Sequence, residues 1–227
     1  GYSHNGSSGD LKLQSGNSAN GAPGDILLFA GGAQNLNGSD SGSQGGDIKI
    51  FAGESEYSTQ SGGAVSIQGG LGSNTSSEDG GKGGEVVIAG GVAMGLNEET
   101  DTGGDVLLSG GSADAARGGN VRLVSGRSND SHSGHISVRT ADSGESGTSG
   151  DLAFSSGDST DGDSGSVLLQ TGIAKNGHGG NIDLKFGTSD TGNGGGISLL
   201  GGRTTAASSA GGDIKIKSGV SDADAGG

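Results

Sequence analysis

The hexapeptide GGDIKI occurs twice in the chain, at residues 45–50 and again at residues 211–216. Looser versions lie between the two copies: GGEVVI ends at Ile88, GGDVLL at Leu108 and GGNIDL at Leu184. All of them join a glycine, a polar residue and two aliphatic residues that are two positions apart. This recurrence indicates an internal repeat, and the repeat decides which fold the sequence predicts.

The repeat unit begins with a glycine, which we call the opening glycine. Successive opening glycines are at least 15 residues apart, and every longer spacing is an insertion. The thirteen opening glycines are Gly9, Gly24, Gly46, Gly63, Gly84, Gly104, Gly119, Gly134, Gly150, Gly165, Gly180, Gly195 and Gly212.

Each unit carries one aliphatic pair, at the second and fourth positions after its opening glycine. Because side chains two positions apart share one face of a strand, this spacing predicts a strand with the pair facing inward. The residue nine positions after the opening glycine is small in nearly every unit, which predicts a second, weaker strand that faces the pair. Seven positions after the opening glycine lies a closing glycine in nearly every unit, with Ala141 the exception, and glycine suits a corner where φ is positive or two backbones come close.

These features predict an all-β protein, a parallel β-solenoid (β-helix) of about 13 coils with a 15-residue minimum repeat. Insertions at residues 32–44, 72–83 and 93–102 are expected to lie along one edge. The chain, residues 1–227, is expected to be a single array and an excerpt of a longer one. With the pairs buried inside, a change of Val121 to Asp is expected to unfold the local coils, because it would bury an unpaired charge.

The composition excludes several classes of partner. The chain has 227 residues and a net charge of -14, which opposes binding to nucleic acids or anionic membranes. No apolar run approaches the roughly 18–20 residues that a membrane span needs. Cysteine is absent from the sequence, so no disulfide can stabilise the fold.

A row of acidic residues follows the opening glycines. Stacked carboxylates about 5 Å apart suit Ca²⁺, whereas Asp at these positions also suits a turn in which it bonds nearby backbone N–H groups. Both interpretations stay open. The calcium candidates are Asp10, Asp25, Asp47, Asp105, Asp151 and Asp213.

Four sequons for N-glycosylation lie outside the aliphatic pairs, where a glycan would be accommodated. Their acceptor residues are Asn5, Asn37, Asn74 and Asn129. They are in keeping with an extracellular or cell-surface location.

No arrangement of residues predicts catalysis. His132 and His135 are three positions apart but lack the further ligands of a zinc site. Glycine-rich phosphate-binding patterns arise by chance in a chain with 55 glycines. We therefore expect no enzymatic activity and no cofactor other than the Ca²⁺ considered above.

The repeats SGDLKLQSG, GGDIKIFAG and GGNVRLVSG resemble those of Gly/Ser-rich solenoid proteins at the surface of microbial algae, diatoms especially. The resemblance implies a structural protein of an extracellular fibre, filament or surface coat. We expect its partners to be copies of itself, joined end to end or laterally, and glycans. The alternative function is an ice-binding or glycan-binding β-solenoid module.

Overall fold

The computed structural model describes residues 8–34, 44–97 and 99–220, and these residues form no helix and no strand. The chain divides into two units, Gly1–Leu123 and Val124–Gly227. Within each unit, the seven residues that begin at each opening glycine form what we call an aliphatic segment. The remaining stretches, which we call connecting segments, contain the turns and bends.

The predicted parallel β-solenoid is therefore wrong for the described residues. No strand ladder joins the aliphatic segments, and the aliphatic pairs that were expected inside a core are exposed to solvent. The physical reason is composition: two aliphatic side chains in 15 residues bury too little apolar surface to offset the entropy of ordering a glycine-rich chain. Val121 is 54% exposed, so a carboxylate there would stay hydrated and the expected unfolding loses its basis.

A backbone hydrogen bond between two glycines recurs along both units, and we call it the glycine closure. The opening glycine donates its N–H to the carbonyl oxygen of the preceding closing glycine over 2.8–2.9 Å. The seven pairs, donor first, are Gly46 and Gly31, Gly63 and Gly53, Gly84 and Gly70, Gly104 and Gly91, Gly119 and Gly111, Gly134 and Gly126, and Gly212 and Gly202. Each closure brings the start of one aliphatic segment to the end of the previous one.

The closure does not depend on the length of the connecting segment. Gly119 bonds Gly111 eight positions earlier, and Gly46 bonds Gly31 fifteen positions earlier, both over 2.8 Å. Insertions are therefore looped out between fixed ends, which explains why their lengths vary freely. Because the described residues form no solenoid, the predicted alignment of the insertions along one solenoid edge is wrong for them. Most of the insertion at residues 32–44 lies outside the described residues.

In four of the seven closures the residue before the closing glycine is also a glycine, and steric crowding there falls on that glycine and on the opening glycine. A Cβ on Gly84 would lie 2.8 Å from the nitrogen of Gly70, and a Cβ on Gly90 would overlap the carbonyl oxygen of Gly104. A Cβ on the closing glycine Gly91 would meet nothing within 4 Å. At these closures two backbones come so close that glycine is required at the opening position and at the position before the closing glycine. The closing glycine itself has room for a side chain.

The small residue nine positions after the opening glycine has a different role from the one predicted. It was expected to face a second strand, and the described residues contain no such strand. In three units its hydroxyl instead stabilises a turn: Ser18 accepts the N–H of Gly21 over 3.0 Å, Ser128 that of Ser131 over 2.9 Å, and Thr204 that of Ala206 over 3.2 Å. Serine and threonine favour such local bonds to the backbone, so in these units the residue is a turn-former.

The closure predicts opposite outcomes for two adjacent substitutions. Gly90→Ala should break the bond between Gly104 and Gly91, because the new methyl group overlaps the Gly104 carbonyl. Gly91→Ala should preserve it, because that methyl group enters open space. Amide hydrogen exchange of Gly104, followed by NMR, should accelerate by about 2- to 10-fold in the first variant, the range expected for losing one hydrogen bond. Equal exchange in both variants would contradict this account of the closure.

Candidate functional site

Exposed aliphatic side chains recur along the whole described surface of the protein. None of the described side chains is buried, whether apolar or polar. The aliphatic pairs form this surface in every unit: Leu11 and Leu13, Ile26 and Leu28, Ile48 and Ile50, Val65 and Ile67, Val86 and Ile88, Val106 and Leu108, Val121 and Leu123, Ile136 and Val138, Leu152 and Phe154, Val167 and Leu169, Ile182 and Leu184, Ile197 and Leu199, and Ile214 and Ile216. The aliphatic segments are therefore the candidate functional site.

Within an aliphatic segment, exposure alternates along the backbone. In the segment of Gly104, Val106 is 50% exposed, Leu107 is 85% exposed and Leu108 is 62% exposed. The pair thus shares the more sheltered side, and the residue between them points to the other side. The two-residue period that the sequence predicts is present, although its expected burial is not.

Three ion pairs among the described residues show that side chains alternate in the same way on the side of the backbone opposite the aliphatic pair. Lys49 Nζ lies 2.7 Å from Asp47 Oδ2, and Lys215 Nζ lies 3.0 Å from Asp213 Oδ2. Lys185 pairs with Asp183 over 3.1 Å. Side chains two positions apart meet in this way when the backbone between them is extended. Each pair is largely exposed, so it contributes little to stability.

Charge is divided unequally between the two kinds of segment. The thirteen aliphatic segments together contain eight acidic and seven basic residues, whereas the rest of the chain contains 18 acidic and five basic residues. Nearly all of the net charge of -14 therefore lies on the connecting segments. The aliphatic segments combine apolar side chains with near-neutrality.

The calcium candidates are not brought together. Among the described residues, no group of three or more His, Cys, Asp or Glu side chains lies close enough to share a metal ion. Asp47 and Asp213 instead bond the lysines of their own segments. Of the other four, Asp10, Asp25, Asp105 and Asp151, each is exposed. In the described part of the chain, the Asp47 and Asp213 carboxylates thus make ion pairs, and no cluster of three or more metal-binding side chains is present.

Two of the four sequons lie within the described residues. The Asn74 side chain accepts the N–H of Ser76 and donates to the carbonyl of Asp79, both over 2.9 Å, in an exposed turn. Asn129 is also exposed, in the turn that Ser128 stabilises. Asn5 and Asn37 lie outside the described residues. An attached glycan at Asn74 or Asn129 would meet solvent.

One ordered turn was missed by the sequence interpretation. In the insertion at residues 93–102, the N–H of Asn97 donates to the Asp101 carboxylate over 2.8 Å, and the N–H of Glu99 donates to Asn97 Oδ1 over 3.0 Å. The available signal was the pair of Asn and Asp residues, since both types form such turns. The bonds join neighbours in sequence and create no pocket for a ligand.

Comparison of the chain with protein-family models, curated proteins and solved structures gave no match. The described residues contain no helix long and apolar enough to cross a membrane. The candidate site therefore has to be interpreted from its own chemistry.

The exposure of the aspartates predicts the response to calcium. Ca²⁺ takes six to eight oxygen ligands, and isolated carboxylates supply too few. Titration with CaCl₂ in a calorimeter should give no saturable binding below about 1 mM, and MgCl₂ at the same ionic strength should give the same heats. Saturable binding in the micromolar range, specific to Ca²⁺, would contradict the expectation that these aspartates act as isolated carboxylates.

Proposed function

We propose that this protein is a non-enzymatic structural repeat protein, a building block of an extracellular fibre, filament or surface coat that forms by association of identical chains. The observation that supports this function is the exposed surface of the chain, 22,840 Å². A compact domain of this mass would expose roughly 9,000 Å². A chain with so much uncovered surface has partners as its main route to stability.

The chemistry of the exposed surface supports a structural role over catalysis. A catalytic site relies on preorganised groups held in a pocket that excludes water. The described side chains are exposed, and their hydrogen bonds mostly join residues close in sequence. These features suit a repeated surface of association.

The same surface favours self-association over the alternative of ice binding. Ice recognition by a repeat protein calls for a uniform row of side chains. Here the residue between the two members of each aliphatic pair varies among charged, polar and apolar types, as Lys12, Leu27 and Asp183 show. The aliphatic pair is the feature that recurs in every unit.

Assembly is the direct test of the proposed function. The purified chain, at tens of micromolar and 0.15 M NaCl, should sediment as species larger than the 21.5 kDa monomer. Electron microscopy should resolve fibres or sheets in the same sample. A monodisperse monomer across this range of concentration would contradict the proposal.

Glycosylation of the sequons, which an extracellular glycoprotein requires, has its own test. The chain, secreted from a eukaryotic host behind an added signal peptide, should lose mass on treatment with a peptide N-glycosidase. The mass shift should disappear when the four sequon asparagines, Asn5, Asn37, Asn74 and Asn129, are changed to Gln. The control Asn193→Gln should keep it, because Asn193 is followed by Gly-Gly and is not a sequon. Absence of any shift would argue against a glycoprotein.

A further inference from the structure

We propose that the aliphatic segments are the surface by which one copy of the chain binds a second copy, segment against segment, while the connecting segments stay in solvent. This inference rests on the proposed function and adds to it the identity of the binding surface and of its partner. It is carried by three properties of the aliphatic segments: apolar area, unpaired backbone and charge.

The exposed surface of the chain is large enough for a stable complex. The chain exposes more than 10,000 Å² beyond the roughly 9,000 Å² of a compact domain of its mass. Obligate dimers bury about 2,000–5,000 Å² in total. Association along only some of the thirteen segments would therefore reach the range of a permanent interface.

The backbone of the aliphatic segments is free to pair. The described residues contain thirteen backbone–backbone hydrogen bonds, and all of them lie at the closures or within connecting segments. From the second to the seventh residue of an aliphatic segment, no described N–H or C=O group takes part in one. Extended backbone with unpaired polar groups is a template for pairing with another extended chain.

A second copy is the partner that matches this template. It presents the same thirteen segments in the same order, each with an aliphatic pair and an unpaired backbone of its own. At the seven junctions that form it, the glycine closure keeps the start of one segment beside the end of the previous one, whatever the insertion length. The two chains thus offer surfaces of the same local spacing.

The distribution of charge permits this approach and orients it. The aliphatic segments carry eight acidic and seven basic residues, so they can meet with little net repulsion. The connecting segments, with 18 acidic and five basic residues, repel one another and are held in solvent. Because salt screens the repulsion between exposed charges, assembly should strengthen as salt rises from 0.01 to 0.15 M.

The experiment compares two triple variants of the full chain. The test variant is Val86→Ser, Ile88→Ser and Val106→Ser, which removes three members of aliphatic pairs. The matched control is Val92→Ser, Met94→Ser and Leu96→Ser, which removes three apolar side chains from the neighbouring connecting segment. The control side chains are the more exposed, at 88–100% against 47–65%, so indiscriminate hydrophobic association would be weakened more by the control.

Sedimentation velocity over a dilution series in 0.01 and 0.15 M NaCl measures the outcome. The test variant should raise the dissociation constant of assembly by about tenfold or more, because three partly exposed aliphatic side chains lose their burial at the interface. The control should stay within about twofold of the wild type. Because neither set of side chains is buried in the single chain, the amide NMR spectrum of each diluted variant should match that of the diluted wild type.

The possible failures are distinguishable. If the wild type assembles and the test variant assembles equally well, the binding surface is elsewhere, and the proposed function survives without this inference. An effect of the control equal to or larger than that of the test variant overturns the inference in the same way. If the wild type remains a 21.5 kDa monomer at both salt concentrations, the inference and the proposed function fail together. Assembly that weakens with added salt would overturn the role given to charge.

Discussion

The glycine closure is the interaction on which the other features of this chain depend. One N–H···O bond of 2.8–2.9 Å joins each participating opening glycine to the closing glycine before it. At four of the closures the two backbones meet so closely that a side chain on the opening glycine, or on the glycine before the closing one, would crowd a carbonyl or an amide. A single net hydrogen bond stabilises a structure only modestly, so the recurrence of the closure matters more than any one copy. The closure organises neighbouring segments without forming a core.

The absence of a core in the described residues links the structure to its proposed role. Globular proteins of this size gain most of their stability from buried apolar side chains. In this chain the aliphatic side chains are present at regular positions and remain accessible, as the half-exposed Val106 illustrates. In the proposed assembly, a second copy of the chain buries them. Such an assembly would gain stability with concentration, because association stabilises whichever state it selects.

Division of charge between segments has a consequence for such an assembly. If the acidic residues were spread evenly, each aliphatic segment would carry a share of the net charge of -14 and oppose association. Instead, acidic residues such as Glu54, Glu56 and Asp79 lie on connecting segments, and the lysines at Lys49 and Lys215 neutralise the aspartates of their own segments. The chain thereby combines a high net charge, which favours solubility, with aliphatic segments that are near-neutral.

Much of the local organisation was determined by the sequence alone. The opening glycines, the pair that shares one side of the backbone and the variable lengths of the insertions were all apparent from spacing, because each is set by residues a few positions apart. Turn chemistry at Ser18, Ser128 and Thr204 was present in the residue types, although it was interpreted as a second strand. The sequence makes Asp47 and Asp213 candidates for calcium binding or for a turn, and the structure pairs each carboxylate with the lysine two positions later.

Only the tertiary structure decided whether the repeats stack. A two-residue period specifies which side chains share a face, and it is the same for a solenoid coil, an edge strand and an unpaired extended segment. Stacking depends on long-range contacts whose gain must exceed the entropy lost by a chain with 55 glycines. In the described residues the local glycine closure forms and the stacking of distant segments does not. The closure costs less entropy because it joins residues as few as eight positions apart, as in Gly111 and Gly119. The sequence therefore determined the periodic aliphatic surface, and the structure decided that this surface faces solvent, because closing a short loop costs less entropy than aligning distant segments.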